Sequence, residues 1–316
     1  MTRLGHRLAV GTAAATFVLI FFGGLVTNTG SALAVPDWPT TFGYNMFVYP
    51  WSQMVGGILY EHSHRLLGAL VGLLTVALAV VLWAGGPGLR RLGLIAAGAV
   101  VGQGILGGLR VVLRQDTLAI VHGCVAQAFF GLLVAIAFLT SSAATRPAVP
   151  AETTDRRLAL ATVGLVYVQI VFGALLTHAG WVELHLAGAL AVFALVPIVA
   201  ARVRRSGDPV AAPAAIALSV LLAIQLLLGV SALVARFALN MLATGAGSLT
   251  VFAAHRLTAS LIFATTIVLA LRITAARGVV AGSSAGVAGA IRRGEAAEGG
   301  VSRPERRKGG EAPLRV

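Results

Sequence analysis

Apolar residues run along this chain in eight long blocks, at 8–27, 62–84, 92–110, 117–140, 158–178, 182–201, 211–235 and 250–272. Each block holds roughly the 20 residues that a helix needs to cross the hydrocarbon core of a bilayer. The pattern predicts an all-α integral membrane protein with eight transmembrane helices. The first block follows Arg3 and Arg7 and precedes Ala32-Leu33-Ala34, so it imitates a secretory signal peptide. Its spanning length keeps it as the first helix. The outer loop at 28–60 is by far the longest connection and carries Pro36, Asp37, Trp38, Pro39 and Trp51 with several Tyr and Phe. Aromatic residues there suit the membrane interface, and a lid over an outward-facing site suits the length of the loop.

The blocks repeat. Phe22-Gly-Gly-Leu-Val-Thr-Asn-Thr-Gly30 at the end of span one is matched by Phe172-Gly-Ala-Leu-Leu-Thr-His-Ala-Gly180 at the end of span five. Gln103, Gly104 and Gly107 in span three correspond to Gln225, Leu226 and Gly229 in span seven, His64 to His185, and His122 to His255. Two repeated antiparallel four-helix bundles follow from this, at 1–140 and 158–277, with a linker at 141–157 and the long outer loop only in the first.

Composition and charge refine this picture. The 316 residues are 58% hydrophobic and 11% charged, against about 25% charged in an average soluble domain. A formal charge of +13 would suggest nucleic acid in a soluble protein. Here the arginines cluster between apolar blocks, where they act as topology signals, so no nucleic-acid partner is expected. Placing both termini in the cytoplasm collects Arg90, Arg91, Arg146, Arg156, Arg157, Arg202, Arg204, Arg205, Arg272 and Arg277 on one side. Arg65, Arg110, Arg114, Arg236 and Arg256 remain on the other. The expected location is the cell's inner (plasma) membrane. The segment 278–316 lacks large apolar runs and carries Arg306-Arg307-Lys308, which predicts a disordered basic tail against anionic lipid. The one cysteine, Cys124, lies in an apolar block and cannot form an intramolecular disulfide.

Of seven histidines, His64, His122, His185 and His255 stand near the starts of the even-numbered spans. At about 1.5 Å of rise per residue they share one depth, just inside the outer face, and each bundle offers a facing pair. Two imidazoles with no third ligand do not make a zinc site. The Glu61-x-x-His64 spacing of di-iron bundles lacks the further carboxylates that such sites need. Haem asks for one or two axial imidazoles, an apolar slot and cations for its propionates. His64-Arg65 and His255-Arg256 supply imidazole and guanidinium as neighbours, with Arg110 and Arg114 at the same face. Gly68, Gly107, Gly108, Gly123, Gly188 and Gly229 leave room for a flat ligand, or serve close helix packing in lipid. Glu61, one turn before His64, is either a carboxylate paired with Arg65 or an acid–base group beside a bound ligand. His62 points off the face of His64, His178 replaces Asn28 of the first repeat, and His6 is a cytoplasmic flank.

Gly23-Gly-Leu-Val-Thr-Asn-Thr-Gly30, Pro36-Asp-Trp-Pro39, Glu61-His-Ser-His-Arg65, His122, His185 and His255-Arg256 together resemble the heme A synthase family across all eight spans. The resemblance implies an enzyme that oxidises a methyl group of haem O to the formyl group of haem A, for terminal oxidases. It further implies a haem b cofactor on His185 and His255, substrate haem near His64 and His122, and a catalytic Glu61. Partners would be the lipid bilayer, haem O synthase and a membrane electron donor, with the oligomeric state left open. Some bacterial members carry a cysteine pair in the first outer loop. This chain has none, so no thiol-dependent delivery step is expected. The rival readings are a bis-haem electron carrier without haem chemistry and, less favoured for lack of a broken mid-membrane helix, an eight-helix transporter.

Overall fold

A computed structural model describes residues 3–238 and 246–275. Eight helices in it are long and apolar enough to cross a membrane. They are α1 (Arg3–Asn28), α2 (Gly57–Trp83), α3 (Pro87–Leu113) and α4 (Asp116–Leu139). The second four are α5 (Thr153–Ala179), α6 (Val182–Arg205), α7 (Ala211–Leu233, continued by the π turn Val234–Ala238) and α8 (Ala246–Ala275). The chain is a multi-pass, all-α membrane protein. The tail expected at 278–316 and Arg277 lie outside the described residues.

Six of the eight helices start before their apolar blocks do, and α6 and α7 start with them. Polar residues at a helix start leave it intact, because the block marks only the stretch that lipid surrounds. α2 therefore begins at Gly57 and takes Glu61 and His62 into its second turn. α3 opens on Gly86 and Pro87, where the missing proline N–H has no intrahelical partner to lose. α1 is followed by Gly30 (φ 66) and α5 by Gly180 (φ 77), both in the left-handed region that ends a helix cheaply only at glycine. The glycine closing the repeated sequence thus has a backbone reason.

Each helix packs on the next within α1–α4 and within α5–α8, α1 also meets α4, and α5 meets α8. The apolar core forms two clusters. One contains Ile20, Val71, Leu78, Phe130 and Leu133, the other Val166, Val196, Leu218, Phe263 and Leu269. Between the two sets of four, α1 and α4 contact α8, and α4 contacts α5. A few polar groups hold that seam together. The Tyr167 hydroxyl donates to the Cys124 carbonyl (3.1 Å), and the buried Ser260 hydroxyl donates to Gln127 Oε1 (3.0 Å). Gly131 admits Phe263 and Ile267, each of which would lie 2.8 Å from a Cβ at that position. Close approach at a small residue is the usual basis of helix association in lipid.

A second fixed point ties the 141–152 linker to α8. The Arg272 side chain is 1% exposed and Asp208 5%, with 2.9 Å between Nη2 and Oδ2. Arg272 also donates to the carbonyls of Arg146 (2.7 Å) and Pro147 (2.7 Å), while Asp208 accepts from the amides of Val149, Val210 and Ala211. Burial acts to raise the pKa of Asp208, yet the guanidinium and these amides bring it far below the ordinary carboxylate value. Removing one partner of such a pair leaves the other charge buried and uncompensated. Asp208→Ala should therefore cost about 3 kcal/mol, read as a lowered thermal midpoint in detergent, with Arg202→Ala, which breaks an exposed α6 ion pair with Glu152 and Asp155, as the near-neutral control.

Candidate functional site

The four histidines singled out in the sequence meet as two pairs. The rings of His64 (α2) and His122 (α4) have centroids 6.4 Å apart at 78°, and those of His185 (α6) and His255 (α8) 6.2 Å apart at 65°. His64 lies seven residues into α2, His122 six into α4, His185 three into α6 and His255 nine into α8.

Each ring rests on a glycine of the preceding helix. A Cβ would lie 3.1 Å from His64 Cε1 at Gly23 (α1) and 3.3 Å from His122 Cε1 at Gly107 (α3). The second pair repeats this at Gly173 (α5), 3.4 Å from His185 Cε1, and at Gly229 (α7), 3.2 Å from His255 Cε1. Contacts of this length are tight, so glycine lets the imidazole lie against the helix where a methyl group would crowd the ring by a few tenths of an ångström, least at Gly173. The Thr27 hydroxyl donates to the carbonyl of Gly23 (3.0 Å) and that of Thr177 to Gly173 (2.9 Å). The conspicuous sequence repeat is therefore a seat, a hydroxyl on the seat's carbonyl and a helix stop.

Several glycines expected to leave room for a flat ligand have other occupants. Gly107 and Gly229 seat imidazoles, and Gly108 lies under Trp38, whose ring carbons would come within 2.5 Å of a Cβ there. Gly188 admits Gln169, with Oε1 only 2.1 Å from the Cβ position, while Gly68 and Gly123 face open space. Buried polar atoms without partners collect around the pairs: Nδ1 of His64, His122 and His255, and Oε1 of Gln103, Gln169 and Gln225. Buried groups of this kind are normally satisfied, and a bound ligand or its water would satisfy them.

Glu61 and Arg65 clasp the long outer loop. Arg65 Nη2 donates to Glu61 Oε1 (2.8 Å) and to the Val35 carbonyl (3.0 Å), and Nη1 donates to the carbonyls of Asp37 (2.7 Å) and Thr40 (3.0 Å). Glu61 Oε2 accepts from the Val35 amide (3.0 Å). Both terminal nitrogens of Arg65 are thus engaged by the protein itself. His62, 1% exposed, pairs with the Thr41 hydroxyl (3.1 Å) and packs on Tyr49, which also meets Phe42 and Tyr44. Arg256, next to His255, crosses to α1, where its Nη1 would lie 2.8 Å from a Cβ at Gly24. His178 lies near Arg110, Arg256 and Asp116, and His6 Nδ1 meets the Ala137 carbonyl (3.1 Å).

With this geometry in place, the comparisons with known proteins can be weighed. A family model described as cytochrome oxidase assembly protein (COX15-CtaA) matches residues 6–183, that is 178 of the 316 residues. The chain belongs to this family. The matched segment contains Glu61, His64 and His122 and stops two residues before His185. Among curated relatives, the heme A synthase of Shouchella clausii (strain KSM-K16) is 34% identical over 116 residues, 35% of this chain and 37% of the relative. The heme A synthase of Alkalihalophilus pseudofirmus (strain ATCC BAA-2126 / JCM 17055 / OF4) is 32% identical over 112 residues, 34% and 36% of the two. The chain thus spans little more than a third of the length of these curated relatives.

Asp37 holds the loop's tight turn, its carboxylate accepting from the amides of Phe42 (2.8 Å) and Gly43 (2.9 Å) and from the Thr40 hydroxyl (2.5 Å). Burial acts to raise its pKa, but the Gly43 amide, the Thr40 hydroxyl and the Phe42 amide outweigh it and lower the value from 3.8 to about 2. A depressed native pKa means stabilisation that is present above the unfolded value and lost as pH falls through the native one. The loop should stay closed from neutral pH to about 4 and open as pH falls toward about 2. Trp38 fluorescence, identified by difference from Trp38→Phe, should follow that course, and Asp37→Asn should give the open signal at neutral pH.

Proposed function

We propose that the protein is a heme A synthase, oxidising a methyl group of haem O to the formyl group of haem A by successive hydroxylations. The observation that carries this is the separation within the two histidine pairs, 6.4 and 6.2 Å between ring centroids. A metal–nitrogen bond of ~2.0 Å on each side, with about 1.1 Å from ring centre to nitrogen, asks for ~6.2 Å. Both pairs fit an iron between two imidazoles, and the unpartnered ring nitrogens fit it too. Among the described residues no three His, Cys, Asp or Glu converge as a metal cluster. Membership in a family of cytochrome oxidase assembly proteins supports the same reading.

In this reading α1–α4 and α5–α8 are two related bundles with different tasks. His185 and His255 hold a haem b cofactor, which supplies one-electron transfer. His64 and His122 hold the iron of the substrate haem O under the outer loop, with Trp38 on Gly108 and the Arg65 clasp closing the slot from water. Glu61 handles a proton at the carboxylate that now accepts from Val35 N–H, so its availability follows the loop. Arg65 anchors the loop and is already engaged. Arg110, without a hydrogen-bond partner among the described residues, meets a propionate of the first haem, and Arg256 meets one of the second. Both termini face the cytoplasm, the pairs lie near the outer face of the plasma membrane, and haem O synthase and a membrane electron donor act beside the protein.

The test is expression in cells that make haem O but not haem A, followed by extraction and chromatography of the haems. A formyl or hydroxymethyl product is expected, and its absence from cells containing the haem-loaded protein would overturn the reading. Glu61→Gln should keep both haems, seen in the reduced visible spectrum, and lower product formation by at least about 100-fold. Loss of all haem from that variant would make Glu61 structural.

A further inference from the structure

The two sets of four helices meet along a seam where α1 contacts α8 and α4 contacts α5. The sequence repeat makes these two contacts counterparts, since α1 corresponds to α5 and α4 to α8. At one height the counterparts differ. His122 is followed by Gly123 and His255 by Arg256, while Phe172-Gly173 is followed by Ala174 and Phe22-Gly23 by Gly24. Gly123 has open space where a Cβ would stand. On the α1–α8 side both positions have changed together: the long side chain of Arg256 crosses the seam, and Gly24 gives it room, with Nη1 2.8 Å and Cδ 3.6 Å from a Cβ there.

A cation that neighbours the second pair thus rests on a helix of the first. Gly23, the residue before Gly24, seats the His64 ring, and consecutive Cα atoms are about 3.8 Å apart. One turn of α1 carries both the imidazole of the first pair and the guanidinium beside His255. Arg110 of α3 lies within electrostatic reach of His64 and His122, and His178 of α5 lies within reach of both arginines. One turn beyond Gly24 on the same face of α1, Asn28 Nδ2 is buried without a partner.

Donors are in surplus here. Asp116 supplies one negative charge within reach of His178, against two guanidinium groups. The Arg256 guanidinium forms no ion pair among the described residues, and a cation at membrane depth is costly unless an anion meets it. Its fork presents five donors, of which one bidentate carboxylate takes only two.

We propose that Arg256 is shared between the two sites, its guanidinium binding a propionate of the haem on His185 and His255 and, across the α1–α8 seam, a propionate of the haem on His64 and His122. This rests on the haem reading above. It joins the two pairs into one electrostatic unit, because a positive charge placed between two haems favours the reduced form of both.

The test is a potentiometric titration of the full-length, haem-loaded protein in detergent, with each midpoint assigned to its pair by the wave that His122→Ala or His185→Ala displaces. Arg256→Gln should lower both midpoints, each by about a tenfold change in the reduction equilibrium, ~59 mV for a one-electron couple. Arg256→Lys, which keeps the charge, should recover most of both shifts. Gly24→Ala, which pushes the guanidinium off α1 and leaves it beside His255, should lower the first-pair midpoint alone. A shift confined to one pair in Arg256→Gln, or no shift, overturns this inference and leaves the functional reading standing. Should Arg256→Gln fail to fold, Gly24→Ala decides, and an unchanged first-pair midpoint there overturns the inference. Unaltered protein that binds no haem at either pair overturns both.

Discussion

An imidazole can enter a packed helix bundle only where the facing helix gives up a side chain. Gly23, Gly107, Gly173 and Gly229 are those four places, and much of the arrangement follows from them. A methyl group at Gly23, Gly107 or Gly229 would crowd its ring by a few tenths of an ångström, in interiors whose close-packed density leaves little slack. The seat also dictates what lies nearby. The hydroxyls of Thr27 and Thr177 accompany the seat carbonyls of α1 and α5, and the glutamines of α3, α5 and α7 occupy the turn before the seat.

The outer loop obeys a different constraint. It must bury backbone at the end of a bundle, where carbonyls and amides still need partners. Arg65 and Glu61 answer several of those needs at once, satisfying the carbonyls of Val35, Asp37 and Thr40 and the amide of Val35. A guanidinium with four such bonds is a fixed point of the fold rather than a spare cation. His62 joins it from the other side through Thr41 and Tyr49. The two imidazoles between Glu61 and Arg65 therefore divide their work, with His62 on the loop and His64 on the seat.

The eight spans and the four facing histidines were legible because each rests on a local signal: a run of apolar residues, or a rare ionisable group beside one. The clasp was not legible, since the partners of Glu61 and Arg65 lie 25 to 30 residues away along the chain, apart from their own i,i+4 pair. The sequence left the role of the glycines open between ligand room and close packing, for a reason of scale. A glycine in a membrane helix says that something comes close, without saying whether it is a ligand, a ring or another backbone. Gln169 could have been found, because Gln-x-x-x-Gly recurs at 103–107, 169–173 and 225–229. Comparing odd-numbered helices with one another, and not only first half with second, exposes it.

Gly107 and Gly108 are successive residues of one helix, and they carry the ring of His122 and the indole of Trp38. Successive residues point about 100° apart, so a slight turn of α3 about its axis changes both contacts together. The position of the His122 ring and the seating of Trp38 are then linked through one helix. Whatever shifts the His122 ring on Gly107 is felt by Trp38 on Gly108, and the reverse holds as well.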